Sequence, residues 1–166
     1  WVAACNELDE VWVPSRFNVE TFASAGVARE KLRVIPCGID LAEYDPARVA
    51  PYPLPGRRGF AFLSVFEWSR RKGWDVLLDA YFGAFRSSGD VSLIIRAHGS
   101  GERSIREQIE AFARQHGYTD LPHFILLERP IPPADMPALY AAADAFVLPT
   151  RGEGWGIPCM EAMALG

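Results

Sequence analysis

Residues 145–166 read AFVLPTRGEGWGIPCMEAMALG. An apolar run ends at Leu148, a loop carrying Gly152, Gly154 and Gly156 follows, and Pro158 opens an apolar helical stretch that runs to Leu165. Proline is tolerated at that point because the amide it removes has no partner inside a helix. Strand, glycine-rich loop and helix, in that order, is the unit of an α/β fold with a parallel sheet. The glycines let the backbone come close to a ligand, and the helix start offers free N–H groups and partial positive charge. Glu153 and Glu161 stand eight positions apart, the first in the loop and the second expected in the first helical turn. Among Met160, Ala162, Met163 and Ala164, the Glu161 carboxylate is costly to bury without donors, and sugar or ribose hydroxyls would supply them. If no such ligand exists, Glu153 is a solvated loop residue and Glu161 only suits the helix dipole. On that reading of a costly buried charge, Glu161→Leu is expected to stabilise the empty protein.

Working back from this unit, the same alternation recurs. Phe60–Phe66 (FAFLSVF) reads as a buried strand and Asp75–Phe85 as a helix; Val91–Arg96 and Ser104–His116 repeat the pair. Phe124–Leu127 precedes a helix over Ala134–Ala143, with Met136, Leu139, Tyr140 and Ala143 inward, and Ala145–Leu148 is the fourth strand. Near-continuous apolar strands between amphipathic helices predict an α/β, Rossmann-like parallel sheet with helices on both faces. Ligands then gather at the strand carboxyl ends. Residues 1–45 read similarly, with Val11–Val13 as strand, Ser15 capping a helix to about Ala25, and Leu32–Ile35 as strand. Between them, residues 46–57 carry Pro46, Pro51, Pro53 and Pro55, which predicts a semi-rigid, extended linker. The expected division is therefore 1–45, linker 46–57, and 58–166.

Arg70, Arg71 and Lys72 follow the first strand of the longer part, at the sheet edge that also carries the glycine loop. Three cations there suit a diphosphate, whereas a charge run elsewhere is ordinarily a solvated face. Gly99 to Ser104 (GSGERS) nearly matches G-x-G-x-x-G but follows the second strand, where a plain turn is the better reading. His98, His116 and His123 lack metal-ligand spacing, so no metal is expected. Neither a G-x-S-x-G elbow nor a G-x-x-x-x-G-K-[ST] loop occurs.

Composition narrows the class. Apolar residues make up 49% and charged residues 23%, which excludes a disordered chain. With 17 Lys+Arg against 21 Asp+Glu the net charge is −4, and no basic face for nucleic acid is expected. The three cysteines Cys5, Cys37 and Cys159 are an odd, scattered set, as expected of a reducing, cytoplasmic compartment. No stretch is apolar for long enough to span a bilayer, and no secretion signal is visible. A start at Trp1 and a close on a helix with its Gly stop read as a piece of a longer protein, whose uncovered apolar residues would favour self-association.

These segments resemble the retaining family-4 glycosyltransferases of GT-B fold. The specific part is EGWGIPCME from Glu153 to Glu161 with AMALG behind it, similar to that family's E-x7-E signature. LYAAADAFVLPT (139–150), RVIPCGID (33–40) and DEVWVPS (9–15) are similar to family segments in the same order. The resemblance implies the tail of an acceptor domain followed by most of a nucleotide-sugar donor domain. It implies that Glu161 holds ribose hydroxyls and that Glu153 lies by the transferred sugar. Gly154, Trp155 and Gly156 would offer loop amides to sugar and phosphate, and Lys72 would bind the diphosphate. Arg129–Ile131 would meet the base largely through the backbone. One departure stands out: where the family has an arginine before that lysine, this chain has Phe66 and Glu67, so that either Arg70 or Arg71 substitutes or the diphosphate is held more weakly. The implied activity is transfer of a sugar from a UDP- or GDP-type donor to a carbohydrate or lipid-linked acceptor hydroxyl, with retention, no metal or other cofactor, and room for peripheral membrane contact. This piece alone would be inactive. A non-catalytic nucleotide-sugar binding or scaffold domain, or an epimerase of the same fold, are the alternatives.

Overall fold

The computed structural model describes residues 1–86, 89–99 and 103–166. The chain divides into two compact units, Trp1–Ile39 and Asp40–Gly166.

In the first unit, helix α1 (Val2–Glu7) precedes strand β1 (Val11–Val13), helix α2 (Arg16–Ser24) and strand β2 (Leu32–Val34). The two strands pair in parallel, Val11 opposite Leu32. Ser15 caps α2 by accepting from the Asn18 amide. Helix α1 carries no sequence signal of the kind that marks α2. It is tied down by Asn6, which donates to the Gly26 carbonyl and accepts from the Ala28 amide. Val13, Val27 and Leu32 form a small core with Val2, Val19 and Phe22 around it. Trp1, Trp12 and Phe17 are exposed, whereas Val13 is buried and Phe22 half-buried.

The second unit is an α/β sheet. Strands β3 (Phe60–Glu67), β4 (Val91–His98), β5 (Phe124–Leu127) and β6 (Ala145–Phe146) lie in the order β5-β4-β3-β6, all parallel. The intervening helices are α3 (Trp74–Ala84), α4 (Ile105–Gln115), α5 (Met136–Ala141) and α6 (Ile157–Leu165). Alternate residues divide the sheet into two faces. Phe62, Phe66, Leu93, Ile95 and Ala97 pack with Leu78, Phe82, Ile109 and Phe112 of α3 and α4. On the other face Leu63 lines a cavity of about 710 Å³ with Tyr140 of α5 and Ala162 of α6. The chain moves outward through β4 and β5, then crosses back to set β6 on the free side of β3. The crevice between the carboxyl ends of β3 and β6 is thus the point where strand order reverses, the place such sheets offer to ligands.

Three expectations need correction. The fourth strand is two residues long, because beyond Phe146 the chain keeps the Val147 amide on the Leu63 carbonyl and the Ser64 hydroxyl on the Val147 carbonyl before turning into the loop. The helix foreseen over 134–143 is a short 3-10 turn (Pro133–Asp135) leading into α5. The proline-rich stretch is not a free spacer: it belongs to the second unit, which begins at Asp40. The Tyr52 amide donates to the Ala138 carbonyl of α5, and Arg57 reaches the Asp144 carboxylate, which also accepts from the Ala61 amide. Of the near-match at 99–104, residues 100–102 lie outside the described residues, while Ser104 caps α4 in a reciprocal box with Glu107.

Candidate functional site

The loop after β3 and the loop after β6 meet at the switch point. Gly73 makes the meeting close. Its φ is +75° and a Cβ there would lie 2.0 Å from the Pro149 carbonyl oxygen, so only glycine fits. The Arg151 amide donates to the Arg71 carbonyl at 2.8 Å, and the Arg71 guanidinium donates to the Gly152 carbonyl at 2.6 Å. Arg151 reaches back, donating to the Arg70 carbonyl and forming a bidentate pair with Asp75 at 2.8 and 2.9 Å.

At the centre of this junction Lys72 donates to both carboxylate oxygens of Glu153, at 2.6 and 2.7 Å, with Arg71 3.9 Å away. Burial by itself raises the Glu153 carboxyl, but the Lys72 hydrogen bonds and the Lys72 and Arg71 charges outweigh it and hold the group below its ordinary range. Of the two candidates for the missing family arginine, Arg71 is the one bonded to the glycine loop; Arg70 contributes its backbone carbonyl. Glu67 stands 3.9 Å from Arg71. Gly156, with φ +82°, is the N-cap of α6, and the Trp155 indole N–H folds back onto the Met160 sulfur at 2.8 Å.

Glu161 is built differently. It lies at the fifth residue of α6 rather than in the first turn, and its side chain is half-buried. The donors it needs come from the protein: the Tyr44 hydroxyl donates to Oε1 at 2.7 Å and the Tyr140 hydroxyl to Oε2 at 2.6 Å. Both tyrosines are buried. Burial first, and then the adjacent carboxylate, push both phenols well above their ordinary range, so both stay protonated and donate. This reverses the expected effect of Glu161→Leu, which would now orphan two buried hydroxyls. Arg129 and Ile131 stand apart from these groups, lining a cavity of about 340 Å³ after β5 with Tyr52, Leu126 and Pro130.

The sequence placed the cations, the glycines and both glutamates on the right elements. It missed Arg151 and Asp75, whose pairing joins residues 76 positions apart, and both tyrosines that hold Glu161. In the sequence Tyr140 reads as one more inward residue of a helix, and a lone tyrosine beside an apolar stripe gives no hint of what its hydroxyl meets. Among the described residues no three His, Cys, Asp or Glu side chains gather as metal ligands do, and no helix is long and apolar enough to cross a membrane.

The profile of the family described as glycosyl transferases group 1 matches residues 57–166. A D-inositol 3-phosphate glycosyltransferase of Segniliparus rotundus is 30% identical over 142 residues, covering 82% of this chain and 30% of that protein. A GDP-mannose-dependent alpha-(1-6)-phosphatidylinositol monomannoside mannosyltransferase of Mycolicibacterium smegmatis is 30% identical over 172 residues, covering 97% and 43%. The chain thus spans less than half the length of these relatives. Among solved structures, Anabaena Alr3699/HepE in complex with UDP and glucose superposes with a TM-score of 0.72 at 21% identity, covering 99% of this chain and 44% of that one. Sucrose-phosphate synthase of Thermosynechococcus elongatus does so with a TM-score of 0.69 at 26% identity, covering 99% and 41%.

Proposed function

The chain belongs to the glycosyl transferases group 1 family, and from that premise we propose that it contributes the donor side of a retaining glycosyltransferase. A nucleoside diphosphate sugar binds at the carboxyl ends of β3 and β6, and its sugar passes to an acceptor hydroxyl held by the rest of the protein. The observation that carries this reading is the Lys72–Glu153 pair, which brings a cation and a carboxylate from two loops to the reversal point of the sheet. A diphosphate entering there takes Lys72 from Glu153, which leaves the carboxylate beside the sugar. Arg71 and the positive end of the α6 dipole add positive character for the departing diphosphate, so the reading calls on no metal. Glu161 receives ribose hydroxyls, and Arg129–Ile131 meet the base. Relatives named for GDP-mannose and neighbours holding UDP support a donor of either base. The three free cysteines are in keeping with a cytoplasmic setting.

Calorimetric titration with UDP, GDP and ADP against the corresponding monophosphates tests the reading. One diphosphate is expected to bind at least about tenfold more tightly than its monophosphate, the scale of one hydrogen bond to a charged group. Equal binding of both, or of neither, defeats it. A second reading, a non-catalytic binding module, is favoured by the acid at Glu67 where the family carries an arginine. Slow hydrolysis of UDP-glucose or GDP-mannose by the whole protein would decide for the enzyme.

A further inference from the structure

We propose that Tyr44 and Tyr140 are positioning residues for Glu161: they fix its carboxylate so that one acceptor site on each oxygen stays open to the vicinal hydroxyls of a ribose. The proposal deepens the reading of Glu161 given above and rests on it. An ionised carboxylate has about four acceptor sites and no donor. Here each oxygen receives one phenolic hydrogen bond, from Tyr44 on Oε1 and from Tyr140 on Oε2. Among the described residues nothing else bonds Glu161, which leaves two sites, one per oxygen, the count a pair of neighbouring hydroxyls requires. The two donors come from different elements, Tyr140 from α5 and Tyr44 from the loop that opens the second unit. With Glu161 on α6, three separate segments set the plane of the carboxylate.

The tyrosines are themselves well fixed. Their rings pack on each other with centroids 6.4 Å apart, and Tyr140 also packs on Phe146 of β6 at 5.6 Å. Tyr44 is 7% and Tyr140 5% exposed, so both rings are held by packing. A lysine in place of either would neutralise Glu161. Neutral phenols hold it and leave its charge to whatever else binds. The arrangement favours a ligand that donates from two adjacent hydroxyls over one that has lost either of them.

The test is a comparison of ribose with deoxyribose. Affinities of UDP and 2′-deoxy-UDP, and of GDP and 2′-deoxy-GDP, are measured by calorimetry on the full chain and on Tyr44→Phe, Tyr140→Phe and the double variant. The parent is expected to prefer the ribose form by about tenfold. Each single variant is expected to lower that preference to about threefold and the double variant to abolish it. A general loss of packing would weaken both nucleotides alike and leave their ratio in place. Tyr44→Phe, in a loop, keeps the test open should Tyr140→Phe fail to fold. An unchanged or increased preference in the variants overturns the positioning role. A parent that binds both sugars equally overturns the ribose reading of Glu161 itself, and the proposal with it.

Discussion

Two glutamates eight positions apart are held in opposite ways. Glu153, in the loop, is matched by a cation that lies on both of its oxygens. Glu161, on the helix, is matched by two neutral hydroxyls. The difference is between a carboxylate whose charge is cancelled and one that is only oriented. An ion pair cancels charge and can be opened by a competing anion, whereas phenols orient a carboxylate without neutralising it. The loop end is therefore where a phosphate would rearrange contacts, and the helix end is where a ligand would add to contacts already made.

The comparison breaks first at Gly73, on which the loop end depends. Gly73→Ala combines a left-handed backbone with a clash against the Pro149 carbonyl, and is expected to cost about 2 kcal/mol or more. A fall in denaturation midpoint is the measurement, and an unchanged midpoint would show that the two loops do not need their close approach. Next comes Lys72→Ala. It removes the cation shared by Glu153 and the expected diphosphate, and should weaken UDP or GDP binding by about 1.5–3 kcal/mol. Unchanged affinity for every diphosphate would mean that the pair is structural only.

At the helix end, Glu161→Leu is expected to destabilise the empty protein by about 1–3 kcal/mol, because Tyr44 and Tyr140 lose their acceptor in a buried setting. Adding Tyr44→Phe and Tyr140→Phe to it should restore most of the stability. A melt showing Glu161→Leu alone to be more stable than the parent would return the site to a simple desolvated charge. The smallest effect is that of acid. The folded Glu153 carboxyl lies below its ordinary value of 4.5, so its stabilisation is fully present above that pH and is lost as pH falls through the lower folded value. Asp75, held below its ordinary 3.8 first of all by the hydrogen bonds from Arg151, behaves likewise. Glu153→Gln should flatten part of the acid slope in a stability-against-pH series, and an identical slope would assign it elsewhere.

Much of this was legible in the chain. The runs FAFLSVF, VSLIIR and FILL read as strands because they are short and nearly all apolar, and the sheet followed from them, although FILL is half-buried along its length. The glycine loop announced its position because a strand led in and a proline-opened helix led out. What stayed hidden depends on partners far off in sequence. Tyr44 and Glu161 are 117 positions apart, and nothing local marks either as the other's neighbour. The proline-rich segment has a related cause: extended backbone with few amide donors describes a spacer and a strap equally well, and the Tyr52–Ala138 and Arg57–Asp144 bonds distinguish them. Nor could the bond from Arg71 to Gly152 be read before the turn that aims it was known.

The strand order has a consequence for how the second unit comes into being. Strands β3, β4 and β5 leave the ribosome in the order in which they lie side by side, so each finds a neighbour already made. The opposite edge of β3 waits much longer. Its partner arrives only with the segment around Val147, 83 positions after Ser64, whose hydroxyl bonds the Val147 carbonyl. During that interval a row of unpaired amides and carbonyls faces outward along a nearly all-apolar strand, the kind of edge that recruits other chains. The pairing that completes this sheet therefore forms well after the other strands are made, and the edge of β3 is most open to other chains in that interval.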